Sequence, residues 1–275
     1  MIESPASWDD LAPTLALVLA GPLQSWGHLS LFTRRNTLPF PTKSGLVGLL
    51  AAAEGIDRHA PDHEERVAGL ADLGVLVCRI PRKFGNRPTA PTLEDYHTVQ
   101  DCRTASGGVK GTELTRRHYL QDCLFVVLLQ GNPSMLAKVA GSLRNPVWGL
   151  WLGRRACVPS LPVLPPGEWP APDAISAWER SRACLAGSLG QGRATLGIPA
   201  SWQGLPHVIS SNDFTSGTDT WLDDPVGFAY GRRRYHARRV RIRNGEVDLP
   251  EAEAPEDDLA ERMMEFLHAE DPEEG

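Results

Sequence analysis

Cysteine, lysine and long apolar runs are what this 275-residue chain has little of. Its five cysteines (Cys78, Cys102, Cys123, Cys157, Cys184) are odd in number, widely spaced and without a C-x-x-C pair. That argues against a disulfide framework and against a zinc site. The longest apolar runs, such as Cys123 to Leu129, fall far short of the roughly 20 residues that span a membrane. Residues 1–13 hold Glu3, Asp9 and Asp10 and no basic residue, unlike a secretory leader, so the expectation is a cytoplasmic protein with no membrane partner. H-E-x-x-H and G-x-S-x-G are both missing, and Gly190-Gln191-Gly192 lacks the third glycine of a dinucleotide fingerprint. His59 and His63 flank Pro61 and make a poor metal pair. No metal and no cofactor are expected.

Acidic residues are scarce where they matter. The net charge is −6, yet residues 251–275 carry eleven acidic residues and one basic residue, a net −10. The first 250 residues therefore hold 27 basic and 23 acidic residues, or +4, and seven of the twelve residues from Arg232 to Arg243 are arginine. A basic body with an acidic tail suits a polyanionic partner.

The apolar pattern predicts strands at Thr14–Gly21, Gly74–Ile80, Asp122–Gly131 and Val147–Gly153, with helices at Ser44–Glu54 and Ser134–Leu143. This order is β-α-β-β-α-β, an α+β, ferredoxin-like arrangement. Residues 81–117 show no sustained period and form a 37-residue insertion between the second and third strands; insertions of that length usually carry function or lack order. Six prolines between Val158 and Pro172 suit a semi-rigid connector. The expected organisation is a domain over 1–157 with its insertion at about 81–117, a Pro-rich linker over 158–172, and a small C-terminal β-rich region over 173–250. An acidic tail over 251–275 follows, expected to be mobile apart from a short helix at Leu259–His268.

Four stretches carry chemistry. Thr42-Lys43-Ser44-Gly45 opens a helix, where unpaired amides and partial positive charge attract phosphate. The glycine that a Walker A loop needs before Lys43 is missing, so nucleotide hydrolysis is not expected, and an ordinary capped helix is the competing reading. "GPLQSWG" (Gly21–Gly27) leaves the first strand with Gln24, Ser25 and Trp26; the alternative is a buried tryptophan plug. The insertion offers Tyr96, His97, Lys110, Arg116 and Arg117, an aromatic and cationic mixture that suits single-stranded RNA. "LGRRAC" ends the last predicted strand with Arg154 and Arg155, which could clamp phosphates or an acidic partner.

Together "LAGPLQSWG", "PFPTKSGLVGLLAAAEGIDR", "DYHTV", "HYLQDCLFVVLL" and "LGRRACVPSLP", in this order over residues 15–163, resemble the CasD-type subunits of type I-E CRISPR Cascade complexes. These form the E subtype of the Cas-five branch of the RAMP superfamily. The resemblance implies a RAMP/RRM-like ferredoxin core with a thumb-like insertion and a non-catalytic role: binding and capping the 5′ repeat-derived handle of CRISPR RNA. It implies as partners the backbone subunits (CasC) and the large PAM-reading subunit (CasA), with target DNA met only inside the complex. Carried onto this chain, it assigns RNA contacts to Gln24, Ser25, Trp26, Gly27, Arg34, Arg35, Thr42, Lys43, Ser44 and Gly45. Tyr96 and His97 would lie at the turn of a thumb that also brings Lys110, Arg116 and Arg117, and Arg154 and Arg155 would bind phosphate or a neighbouring subunit. The alternative is a metal-independent endoribonuclease, as in the related I-C subtype, drawing on Tyr96, His97, Lys110 and His118 for general acid–base work.

Overall fold

The structure, a computed structural model, describes residues 8–27, 33–81, 92–104, 107–189, 201, 205–210, 218–229 and 233–243. The tail over 251–275 and its expected helix lie outside these residues, as do residues 82–91 at the start of the insertion.

Uninterrupted apolar runs make the centre of the sheet. β1 (Thr14–Ala20) and β7 (Leu124–Gln130) are buried at every position, and β4 (Gly74–Ile80) at most. β7 lies between β1 and β4 and pairs antiparallel with both, Val127 standing opposite Leu17 and Val77. α1 (Lys43–Glu54) and α3 (Pro133–Arg144) pack against each other, α3 starting from an Asn132 cap with Pro133 in its first turn. α2 (His63–Ala71) packs on α1. α4 (Ala174–Leu189) packs on β1 and β7, with Trp178 fully buried. The class is α+β, with the ferredoxin-like order of strands and helices.

Two expectations meet a different outcome. Val147–Gly153 forms no strand. Instead Val147 and Trp148 donate their N–H groups to Ala53 and Ala52 at 3.0 and 3.2 Å, adding to the Gly55 N–H that already reaches Ala52 O at the end of α1. The place beside β1 goes to the Pro-rich segment. Ser160 donates to Ala20, Val18 to Val163, and Thr14 and Ala171 exchange both bonds. Its prolines have no N–H to give, so it follows β1 without forming a regular ladder. In the C-terminal region, β8 (His207–Ser210) pairs with β4, and β10 (Arg234–Arg243) lies between β8 and β9 (Thr218–Gly227). The result is one six-stranded sheet, β1-β7-β4-β8-β10-β9.

The insertion holds a long antiparallel ribbon, β5 (Thr92–Arg103) and β6 (Val109–Gln121). At its base β6 also pairs with β2 (Leu23–Gln24) and, in parallel, with β3 (Arg34–Arg35). The absence of period in this stretch has a physical cause. Both faces of the ribbon are largely wet, so neither needs apolar residues at alternate positions. Tyr96 and His97 stand in mid-strand opposite Arg116 and Thr115, not at the turn, which closes where Thr104 N–H meets Gly108 O at 2.8 Å.

Candidate nucleic-acid interface

The first turn of α1 is built as the sequence suggests: Thr42 caps it, its hydroxyl accepting from Gly45 N–H at 3.2 Å. The anion at this helix end, however, belongs to the chain itself. Asp223 of β9, 1% exposed, accepts from the Lys43 N–H at 2.8 Å and takes two bonds from the Arg238 guanidinium at 2.7 and 3.0 Å. The Lys43 ammonium, 3% exposed, ion-pairs with Asp224 at 2.8 Å. Register shifts in the β9–β10 ladder near His236 and Arg238 let both neighbouring aspartates serve α1, since a bulge re-aims side chains that would otherwise alternate. The phosphate contact assigned to Lys43 is therefore corrected. Burial and two internal carboxylates leave it no room for a ligand.

In the 24–26 loop the Gln24 side chain is likewise spent inside the chain, whereas Ser25 and Trp26, though buried, still line the cleft on the flank of α1. Gln24 is fully buried, its Nε2 donating to Leu19 O and Cys123 O at 3.0 and 2.8 Å while its Oε1 accepts from Trp26 Nε1 at 3.1 Å. Trp26 is 1% exposed and lies on Gly45, where an added Cβ would stand 2.8 Å from the indole. Ser25 is buried and gives its hydroxyl to His118 O. Gly153, at φ +93°, passes so close to this loop that a Cβ would sit 1.8 Å from Ser25 O. These residues are a plug and a clamp that shape the site.

What they shape is a cleft of about 500 Å³ along the flank of α1. Its floor is Ser44, Gly45 and Gly48; its walls carry Gly27, Arg35, Arg58, Arg154 and Arg233, with Trp148, Trp151, Phe228 and Tyr235 between them. Among the described residues no carboxylate lines it. Arg154 is partly committed, donating to His118 O at 3.1 Å and Arg35 O at 2.6 Å with its guanidinium 4.7 Å from the Tyr119 ring centre. It staples β3 to the base of the ribbon. Arg34, Arg35, Arg58, Arg155 and Arg233 are exposed. His63 fastens the far wall, its Nε2 accepting from Phe228 N–H at 2.9 Å and its Nδ1 lying 3.1 Å from Asp57 O. Arginine and aromatic faces without opposing carboxylates can take phosphates and stack bases.

The family described as CRISPR-associated protein (Cas_Cas5) matches residues 14–241. The chain belongs to the Cas5 family. A curated relative, the CRISPR system Cascade subunit CasD of Escherichia coli (strain K12), is 35% identical over 157 residues, 54% of this chain and 69% of the relative. Among solved structures, a chain of a CRISPR RNA-guided surveillance complex superposes with a TM-score of 0.63 at 26% identity, covering 93% of this chain and 99% of that one. A Cas protein crystal structure superposes at 0.55 with 31% identity, covering 86% and 99%. The family resemblance read from the sequence motifs thus holds, and so does its fold.

On this Cas5 chain, sequence reasoning missed Arg58, Trp148, Trp151, Phe228, Arg233 and Tyr235. The repeated tryptophan around glycine in "VWGLWLG" was the available signal, concealed because an exposed tryptophan and a core tryptophan look alike in an apolar run. Trp148 is 47% exposed and Trp151 37%. On the ribbon, Arg116 reaches Glu94 at 3.2 Å and lies over the Tyr96 ring, while Arg117 bonds Thr115 and Lys110 pairs with Glu113. Burial pushes the Cys157 thiol up, against a weaker downward pull from Arg154, so it is no nucleophile at neutral pH. Among the described residues no group of three or more His, Cys, Asp or Glu could hold a metal ion, and no helix is long and apolar enough to cross a membrane.

Proposed function

We propose that this chain is a non-catalytic subunit of a Cascade-type effector that acts in the cytoplasm and holds the 5′ repeat-derived handle of CRISPR RNA. The cleft, with its arginines and aromatic rings and no carboxylate among the described residues that line it, carries this reading. RNA phosphates meet Arg35, Arg58 and Arg233, with Arg34 and Arg155 at the margin. Trp148, Trp151 and Tyr235 face the bases, and the ribbon with Tyr96, Arg116 and Arg117 lies across the RNA. The backbone subunits and the large PAM-reading subunit pack alongside, and target DNA is met only in the assembled complex.

Binding fits better than cleavage. The four residues an endoribonuclease would draw on do not gather at one place: Tyr96 and His118 share a face of the ribbon, while His97, next to Tyr96 on the strand, points to the other. Lys110, opposite Cys102, is about 20 Å further along the ribbon at roughly 3.3 Å per residue. The test reconstitutes the complex on CRISPR RNA with an intact or scrambled handle. Retention only with the intact handle is the expected result. The triple variant Arg35→Ala, Arg58→Ala, Arg233→Ala is expected to bind handle RNA about 30- to 100-fold more weakly, with the slope against log salt reduced by about 2. Equal retention on both RNAs, or wild-type affinity in the triple variant, would overturn the proposal.

A further inference from the structure

The same cleft has a second candidate occupant within the chain. Arg35, Arg58 and Arg233 present exposed side chains to it, with no acidic side chain among the lining residues and no ion pair to a described carboxylate. An exposed cluster of like charge in a cleft attracts a polyanion. The chain supplies a concentrated one: residues 251–275 carry eleven carboxylates and one arginine.

Reach permits it. The described strand β10 runs from Arg234 at the cleft end to Arg243, about 30 Å at roughly 3.3 Å per residue. From Arg243 to Glu261, in the middle of the tail, there are eighteen residues, with a contour of about 60 Å. The apolar residues Leu259, Met263, Met264, Phe266 and Leu267, set among these carboxylates, match the mixture of arginines and aromatic rings in the cleft. A tethered occupant acts at an effective concentration near the millimolar range, so even a weak intrinsic affinity makes it a competitor. It also lies beyond the stretch where the family matches, which ends at residue 241.

We infer that the acidic tail over residues 251–275 occupies the arginine cleft in the RNA-free protein and is displaced by CRISPR RNA. It suppresses binding of unrelated single-stranded RNA while the handle, with more contacts, overcomes it. This rests on the proposed RNA role of the cleft.

The test uses the full-length chain with every Asp and Glu of 251–275 changed to Asn or Gln. Its affinity for an unrelated poly-U RNA at low salt is expected to rise about five- to tenfold, the difference vanishing at high salt. A synthetic 251–275 peptide should bind this neutralised protein and lose that binding when Arg35→Ala, Arg58→Ala and Arg233→Ala are added. No peptide binding, or peptide binding untouched by the three substitutions, overturns the inference. So does unchanged poly-U affinity in a neutralised protein that still binds RNA. If the peptide binds through the three arginines but the neutralised protein takes no RNA of any sequence, the RNA reading fails and occupancy of the cleft by the tail stands.

Discussion

The first turn of α1 and its flank differ in one respect: who supplies the negative charge. At the first turn, Asp223 and Asp224 are delivered by β9, and Lys43 and Arg238 are sealed against them. Along the flank, Arg35, Arg58 and Arg233 face a cleft with no carboxylate among the described residues that line it. Both places attract anions by the same physics, but at the flank the described part of the fold supplies none. A cation in a suggestive motif is thus structural or functional according to whether its counter-charge arrives from elsewhere in the same chain.

The largest effect expected from breaking this contrast is at the closed end. Asp223→Ala leaves the Arg238 guanidinium buried without its carboxylate and the Lys43 amide without an acceptor, a loss of about 3–5 kcal/mol in a denaturant titration. A loss below about 1 kcal/mol would show that the carboxylate is not what seals the turn. At the open flank, Trp148→Ala with Trp151→Ala should weaken handle RNA binding by about 1–3 kcal/mol per stacked base, while stability stays nearly constant because both rings are substantially exposed. The reverse pattern, intact binding and lost stability, would make them packing residues. The smallest effect lies away from both places, at the buried His207 of β8, which pairs with Cys78 of β4. Burial lowers its pKa below the ordinary 6.5, the Arg243 charge lowers it further, and its bond to Leu205 O opposes both. The unfolded chain takes up this proton first, so stability is full above about pH 6.5 and is lost as pH falls through the lowered folded value. Denaturation midpoints at pH 8 and 5.5 should therefore diverge more in the wild type than in His207→Gln. Equal divergence would remove His207 as the cause.

The parts of the fold legible in the sequence are those where burial is continuous. β1, β4 and β7 announce themselves as apolar runs, and the Thr42 cap opens α1. The ribbon was illegible because exposure on both faces removes the alternation that marks a strand. Lys43 was misread for a different reason: its partner stands about 180 residues away, and no local pattern reports it. Gln24 looked polar and therefore available, yet its amide is spent inside on Leu19, Cys123 and Trp26. The motif residues proved to be the frame of the cleft, while two of the rings that line it, Trp148 and Trp151, came from a stretch read as an apolar strand.

The Pro-rich segment along β1 has a consequence for the behaviour of the folded chain at high concentration. A buried seven-residue strand at the end of a sheet is a template on which another chain can add. Residues 160–171 meet that strand's hydrogen bonds at Thr14, Val18 and Ala20 while presenting prolines that cannot extend a ladder outward. The chain thereby has its most apolar edge closed to edge-to-edge aggregation from the moment the sheet forms.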